Sequence, residues 1–259
     1  MHRSVIDQCR LPQYSPTMIA LSVNLNKVAL LRNQRALPYP SVTGAARVAI
    51  DAGCRGITVH PRPDERHIRR ADLYDLAAML PEGVEFNIEG YPSPDFLALV
   101  RDIRPGQCTL VPDSPEQSTS DHGWDIDRHA AMLTSVIAGL RADGIRVSLF
   151  VDPVPLAARR AKSVGADRIE LYTGPYASAF ARGDHDSAVA PYAECAHAAR
   201  TEGLGINAGH DLTLDNLAYF IEQVPNVLEV SIGHALIADA LFMGLENAVG
   251  AYLTVLRGA

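Results

Sequence analysis

Short β-rich runs alternate with helix-periodic segments along the whole 259-residue chain, and this alternation limits the fold more than any other feature. The runs lie at 18–26 (MIALSVNLN), 56–60 (GITVH), 85–90 (EFNIEG), 107–112 (QCTLVP), 146–152 (RVSLFVD), 168–174 (RIELYTG), 205–210 (GINAGH) and 227–234 (VLEVSIGH). Between them, stretches such as "TGAARVAIDAG", "ADLYDLAAML", "PDFLALVRDI", "AAMLTSVIAGLRADG" and "LDNLAYFIEQV" space their apolar residues as a helix does. Several close on a glycine just before the next run, where a helix C-cap would fall. Eight such units are what an α/β chain needs to close a (β/α)8 TIM barrel. A doubly wound parallel sheet is the alternative, because periodicity does not show closure. No low-complexity linker or shift in composition marks a second domain, so the expected division is an N-terminal extension, 1–17, and one barrel, 18–259.

In a barrel the active site is built from the C-terminal ends of the strands. Here those ends carry most of the chemically able residues: Asn24, His60, Glu89, Asp152, Glu170 with Thr173, Asn207 with His210, and His234. The run "ITVHPRPDERHI" is typical, since an apolar strand gives way to a cluster of histidine, arginine and acidic groups. The expected strand interiors are mostly Val, Ile, Leu, Ala and Thr.

Charge narrows the partners. The formal charge is −7, from 30 acidic and 23 basic residues, so a broad footprint for nucleic acid or anionic lipid is not expected. Any anion site must be local. Lys27 and Lys162 are the only lysines, so a Schiff-base mechanism has two candidates. Cys9, Cys54, Cys108 and Cys195 are far apart with no CxxC pair, which suggests reduced packing thiols in a reducing compartment. The first 17 residues lack the apolar core of a signal peptide, and the expectation is a cytoplasmic protein that spans no membrane.

Two features suggest phosphate. "NAGHDL" and "SIGHAL" follow the seventh and eighth strands, and each pairs Gly with His ahead of a helix, where backbone N–H groups and the helix dipole favour an anion. A second cationic group, Arg32 and Arg35 with Arg62 and His67, follows strands one and two. Two separated sites imply two phosphorylated groups. The connection 112–128 (PDSPEQSTSDHGWDIDR) is long for its place, holds the single tryptophan, Trp124, and reads as a lid with Ser118, Thr119, Ser120 and His122 as its polar groups.

"VNLNKVALLRNQR", "GITVHPRPDERHI", "NIEG", "LVPDSPEQSTSDHGW", "IELYTGPYA", "INAGHDLT" and "IGHALI", in this order and spacing, resemble the pyridoxine 5′-phosphate synthase family. The resemblance implies a (β/α)8 barrel in a homo-octamer, condensing 1-deoxy-D-xylulose 5-phosphate with 3-amino-2-oxopropyl phosphate to give pyridoxine 5′-phosphate, inorganic phosphate and water. It implies that His60 and Glu89 accept protons, that His210 donates one, and that Glu170 stabilises the transition state. It places Asn24, Arg35, Asp211, Gly233 and His234 at the aminoketone phosphate, and Asn26, Lys27, Arg62, His67 and Thr119 at the deoxyxylulose phosphate. The sequence departs from the better-known pattern where Asn26 and Lys27 replace Asp-His and where Asp211 replaces a glycine. The latter puts a carboxylate beside a phosphate, which fits only if the backbone N–H makes the contact and the side chain points away. The substrates would form an imine with each other, so neither an enzyme lysine nor a metal or redox cofactor is called for.

Three other readings fit the same residues. A Schiff-base aldolase would use Lys27, which must then be desolvated. A metal-dependent hydrolase would use His60, His210 and His234, although no strand carries an HxH pair and no acidic ligand stands out. A non-catalytic barrel would bind a phosphorylated metabolite without turnover.

Overall fold

A computed structural model describes residues 18–113 and 120–258. The strands are β1 (Ala20–Asn24), β2 (Gly56–Val59), β3 (Glu85–Gly90), β4 (Gln107–Leu110), β5 (Arg146–Val151), β6 (Arg168–Tyr172), β7 (Gly205–Gly209) and β8 (Val227–Ile232). Each pairs in parallel with the next, and β8 returns to β1, so the sheet is a closed barrel rather than a doubly wound sheet. The helices are α1 (Asn26–Asn33), α2 (Val42–Asp51), α3 (Arg70–Met79), α4 (Pro94–Ile103), α5 (Ile126–Ala142), α6 (Pro155–Ser163), α7 (Gly174–Phe180), α8 (His185–Thr201), α9 (Leu217–Gln223), α10 (His234–Met243) and α11 (Leu245–Arg257). No helix among the described residues is long and apolar enough to cross a membrane.

The helices form where the spacing predicts. Val42, Ala46 and Ala49 give α2 one buried stripe, and Ser93, accepting the Phe96 N–H at 3.2 Å ahead of Pro94, starts α4. Gly144, with φ of 81°, turns the chain from α5 into β5 in the left-handed region that side chains disfavour. Three helices lie outside the simple alternation. Helix α1 opens one residue after β1, because Asn24 Oδ1 accepts the Asn26 N–H at 3.0 Å and ends the strand two residues before the β-rich run does. Helix α7 follows β6, and α10 follows β8.

The strands are not uniformly apolar. Leu21, Val23, Ile57, Val59, Ile88, Cys108, Leu110, Val147, Leu149, Ile169, Leu171 and Val230 are buried between the barrel and its helices. The alternate positions face the axis and are mostly polar, with Phe150 and several glycines among them, whereas side chains such as Val, Ile and Leu fill most barrels. Ser22 and Thr58 join their hydroxyls at 2.7 Å, Asn87 Nδ2 donates to Thr58 at 3.3 Å, and Thr109 donates to Asn87 at 3.0 Å. Arg146, which begins β5, pairs with Glu85, which begins β3; Arg168, which begins β6, donates to Asn207 at 3.1 Å, and Asn207, which lies within β7 rather than at its C-terminal end, donates to Glu229 at 3.3 Å. These pairings offset the cost of burying polar groups, although Ser148 Oγ and Gln107 Nε2 of the same wall have no hydrogen-bond partner among the described residues.

Candidate active site

The polar wall opens at the C-terminal mouth of the barrel into a cavity of about 390 Å³. Of the residues that the sequence nominates, Asn24, Asn26, Lys27, His60, Arg62 and His67 line it from β1, β2 and the segments that follow them. Glu89, Glu170, His210, Asp211, Gly233 and His234 also line it. Arg35 does not line it and stands exposed beyond α1. Thr119 and Ser118 lie outside the described residues, as does the extension 1–17.

The loops are held by side-chain hydrogen bonds. Asn26 Oδ1 accepts the His60 N–H at 2.9 Å, tying α1 to the end of β2. At the other end of α1, Asn33 Nδ2 donates to the carbonyls of Glu65, Arg66 and His67 at 3.2, 3.1 and 2.8 Å. Arg32, read above as part of an anion site, instead makes a two-pronged buried ion pair with Asp72, at 2.9 Å through Nη2, and also donates to the His67 carbonyl. Arg62 is buried against Asp113 at 2.5 Å, and Ser120 donates to the same carboxylate oxygen at 2.7 Å. The later part of the long connection is pinned rather than loose. Gly123 N–H donates to Asp152, Trp124 N–H to Phe150, and the indole to the Leu110 carbonyl at 2.9 Å, which buries Trp124 in the wall.

Burial sets the protonation states. His60 is pushed well below the usual imidazole range, first by desolvation and then by the charges of Arg62, His67 and Arg66, so it is neutral and able to accept a proton. His67 is lowered to about 4 by burial and by Arg62. It takes the Ile68 N–H into Nδ1 at 2.9 Å, leaving its proton on Nε2 as a neutral donor. Glu89 is raised well above the carboxylate range by burial and then by Glu170, Asp113 and Glu229. Glu170 rises to about 7, with burial outweighing the opposing pull of His210 and Thr109. Two carboxyl groups that resist ionisation, beside a neutral imidazole, make a site able to pass protons in either direction near neutral pH.

Ile232 ends β8, Gly233 follows it and α10 begins at His234, so the N-terminus of α10 lies at the cavity lining, where backbone N–H groups and the helix dipole favour an anion. The loop after β7 is different. His210 and Asp211 form a left-handed turn, and α9 begins only at Leu217, so this loop is not a helix N-terminus as its sequence suggested. Lys27 is exposed at the cavity rim, unlike the desolvated lysine that a Schiff base needs. Among the described residues, no three His, Cys, Asp or Glu side chains gather as a metal ion requires. Sequence reasoning missed Asp113, Phe150 and Ser231. The last two face the axis by strand alternation, a signal present in "RVSLFV" and "VLEVSI".

A family model described as "Pyridoxal phosphate biosynthesis protein PdxJ" matches residues 21–258. The pyridoxine 5′-phosphate synthase of Brucella abortus (strain S19) is 53% identical over 247 residues, covering 92% of this chain and 98% of that protein. The protein of the same name from Brucella anthropi is 52% identical over 244 residues, covering 91% and 98%. Among solved structures, phosphoribosyl anthranilate isomerase from Thermotoga maritima superposes with a TM-score of 0.60 at 14% identity, covering 93% of this chain and all of that one, a likeness of fold alone. By the extent of these matches, the chain belongs to the PdxJ family of pyridoxal phosphate biosynthesis proteins.

Proposed function

We propose that the chain is a pyridoxine 5′-phosphate synthase, condensing 1-deoxy-D-xylulose 5-phosphate with 3-amino-2-oxopropyl phosphate by acid/base catalysis. The observation that carries this reading is the meeting, in one cavity, of two buried carboxyl groups and two histidines, His60 and His210, with cationic or backbone donors on either side. The aminoketone phosphate would take the N-terminus of α10 at Gly233 and His234, with Asn24 beside it. The deoxyxylulose phosphate would take Asn26, Lys27, Arg62 and the Nε2–H of His67. Asp211 would reach phosphate only through its backbone N–H, because its side chain turns toward His210.

Imine formation between the two substrates leaves the protein with proton transfers, phosphate elimination and dehydration. His60, neutral where it is buried, is in the form that can accept a proton. Burial and its acidic neighbours favour the protonated form of Glu89, so it becomes a base when the ammonium of the aminoketone sits beside it, since a neighbouring positive charge favours the carboxylate. Glu170 would stabilise positive charge developing on the imine nitrogen, and His210 would protonate the leaving group.

A homo-octamer in the cytoplasm completes the proposal. Phe242 is 92% exposed, Tyr39 79% and Leu241 72%, and a second copy would cover such apolar groups. Arg35, off the cavity of its own chain, lies among the exposed residues after α1. Incubating the purified protein with both substrates tests the activity: pyridoxine 5′-phosphate and inorganic phosphate should appear together, and no product with both substrates present would sink the reading.

A further inference from the structure

The turn that ends β7 presents its imidazole from a strained backbone. His210 and Asp211 have φ of 81° and 52°, consecutive left-handed residues without glycine, each costing about 1–2 kcal/mol. Buried Thr173 holds the turn with a hydroxyl placed against the carbonyls of Gly209 and His210. Asn216 holds its other end, donating to the Asp211 carbonyl at 3.1 Å. Glycine would adopt such a φ without strain. Conformation therefore does not explain the aspartate. Its carboxylate turns back on the neighbouring ring, with Oδ2 2.9 Å from His210 Nδ1. That hydrogen bond is the first cause holding the Asp211 carboxyl below its usual range. An ionised carboxylate only accepts, so Nδ1 is the protonated nitrogen. Tyr172 packs against the same ring, edge to face with centroids 5.4 Å apart.

We propose that Asp211 is a positioning residue for His210, its carboxylate fixing the ring with Nδ1 protonated so that Nε2 exchanges the proton with the substrate. The identity of that substrate rests on the function proposed above; the tautomer does not. Loss of the carboxylate behind a metal-bound histidine typically costs about ten- to a hundredfold, and we expect an effect of that order for His210.

Asp211→Gly removes the carboxylate and relieves the turn, so loss of folding does not obscure the result. Its kcat should fall about tenfold or more, with KM for both substrates within about twofold of the parent. Long-range proton–nitrogen spectra, with His210 identified by its absence in His210→Gln, should show Nδ1 protonated in the parent and not in Asp211→Gly. Asp211→Asn, which keeps the volume, should also lose kcat. A raised KM with kcat retained would assign Asp211 to substrate contact, and an unchanged kcat or an unchanged tautomer would leave it no role; each overturns the proposal. If the parent makes no product, the functional reading fails, while the nitrogen spectra still decide the tautomer.

Discussion

Gly209 lies so close to Glu170 that a Cβ built on it falls 2.3 Å from Oε1 of the carboxylate. The obstructing atom is the far end of a flexible side chain, so Gly209→Ala should move the carboxylate rather than break the barrel. We expect kcat to fall about tenfold or more while stability changes by less than about 1 kcal/mol. Steady-state kinetics beside denaturant unfolding would check this, and an alanine variant with parental kcat would show that the carboxylate need not sit there.

The buried Glu170 also predicts a pH dependence. With its folded value at about 7 and an ordinary value of 4.5, the folded protein keeps a proton that the unfolded chain releases. Stability conferred by the neutral form is complete below 4.5 and is lost as pH rises to about 7, by an amount on the order of 3 kcal/mol. Glu170→Gln should abolish that part of the slope and be the more stable protein at pH 8. Unfolding of parent and variant at pH 5 and pH 8 measures the difference directly.

Arg62 has a structural partner in Asp113 and a proposed ligand in the sugar phosphate, and the two roles separate by mutation. Arg62→Met leaves a buried carboxylate unpaired and should cost about 3 kcal/mol or more of stability, together with at least a tenfold rise in KM for deoxyxylulose phosphate. Adding Asp113→Leu should restore stability but not KM. Recovery of both would remove Arg62 from the binding site.

Asn33 does not itself line the cavity yet holds three carbonyls of the segment that carries Arg62 and His67. Asn33→Ala should raise KM for deoxyxylulose phosphate by about tenfold, leaving KM for the aminoketone and kcat within about twofold. Equal effects on both substrates would mean that the segment does not discriminate between them.

The alternation of strand and helix was readable because each β-rich run is compact and each amphipathic stripe is regular, as in Val42, Ala46 and Ala49 of α2. The cavity was readable for a related reason, since His60, Glu89 and His234 fall at or just beyond strand ends, which a closed barrel gathers on one face, whereas Glu170 reaches it from the middle of β6. What sequence did not reveal depends on side-chain pairing. Nothing in "LLRNQR" tells that Arg32 turns inward to Asp72 while Arg35 remains outside. Nor does "VNLNKVALL" show that Asn24 ends the strand by accepting from Asn26, so that an apparently continuous run divides into strand and helix. The polar inner wall was visible as alternation in "EFNIEG" and "RIELY", but the expectation that both faces of a barrel strand are apolar hides it.

The inward Ser22, Thr58, Asn87 and Thr109 give the molecule two interiors with opposite rules of tolerance. The oily annulus between sheet and helices answers to volume, and a methyl gained or lost there is felt by degrees. The axis answers to the pairing of donors with acceptors, and a partner removed there strands another polar atom. Because a slip of one residue in any strand exchanges the two surfaces, misregistered barrels put leucines among amides and amides among leucines. The same alternation that leads to the C-terminal mouth is thus an error check on assembly, and an engineer has freedom to resize the annulus while the axis accepts only substitutions that keep its hydrogen-bond pairing intact.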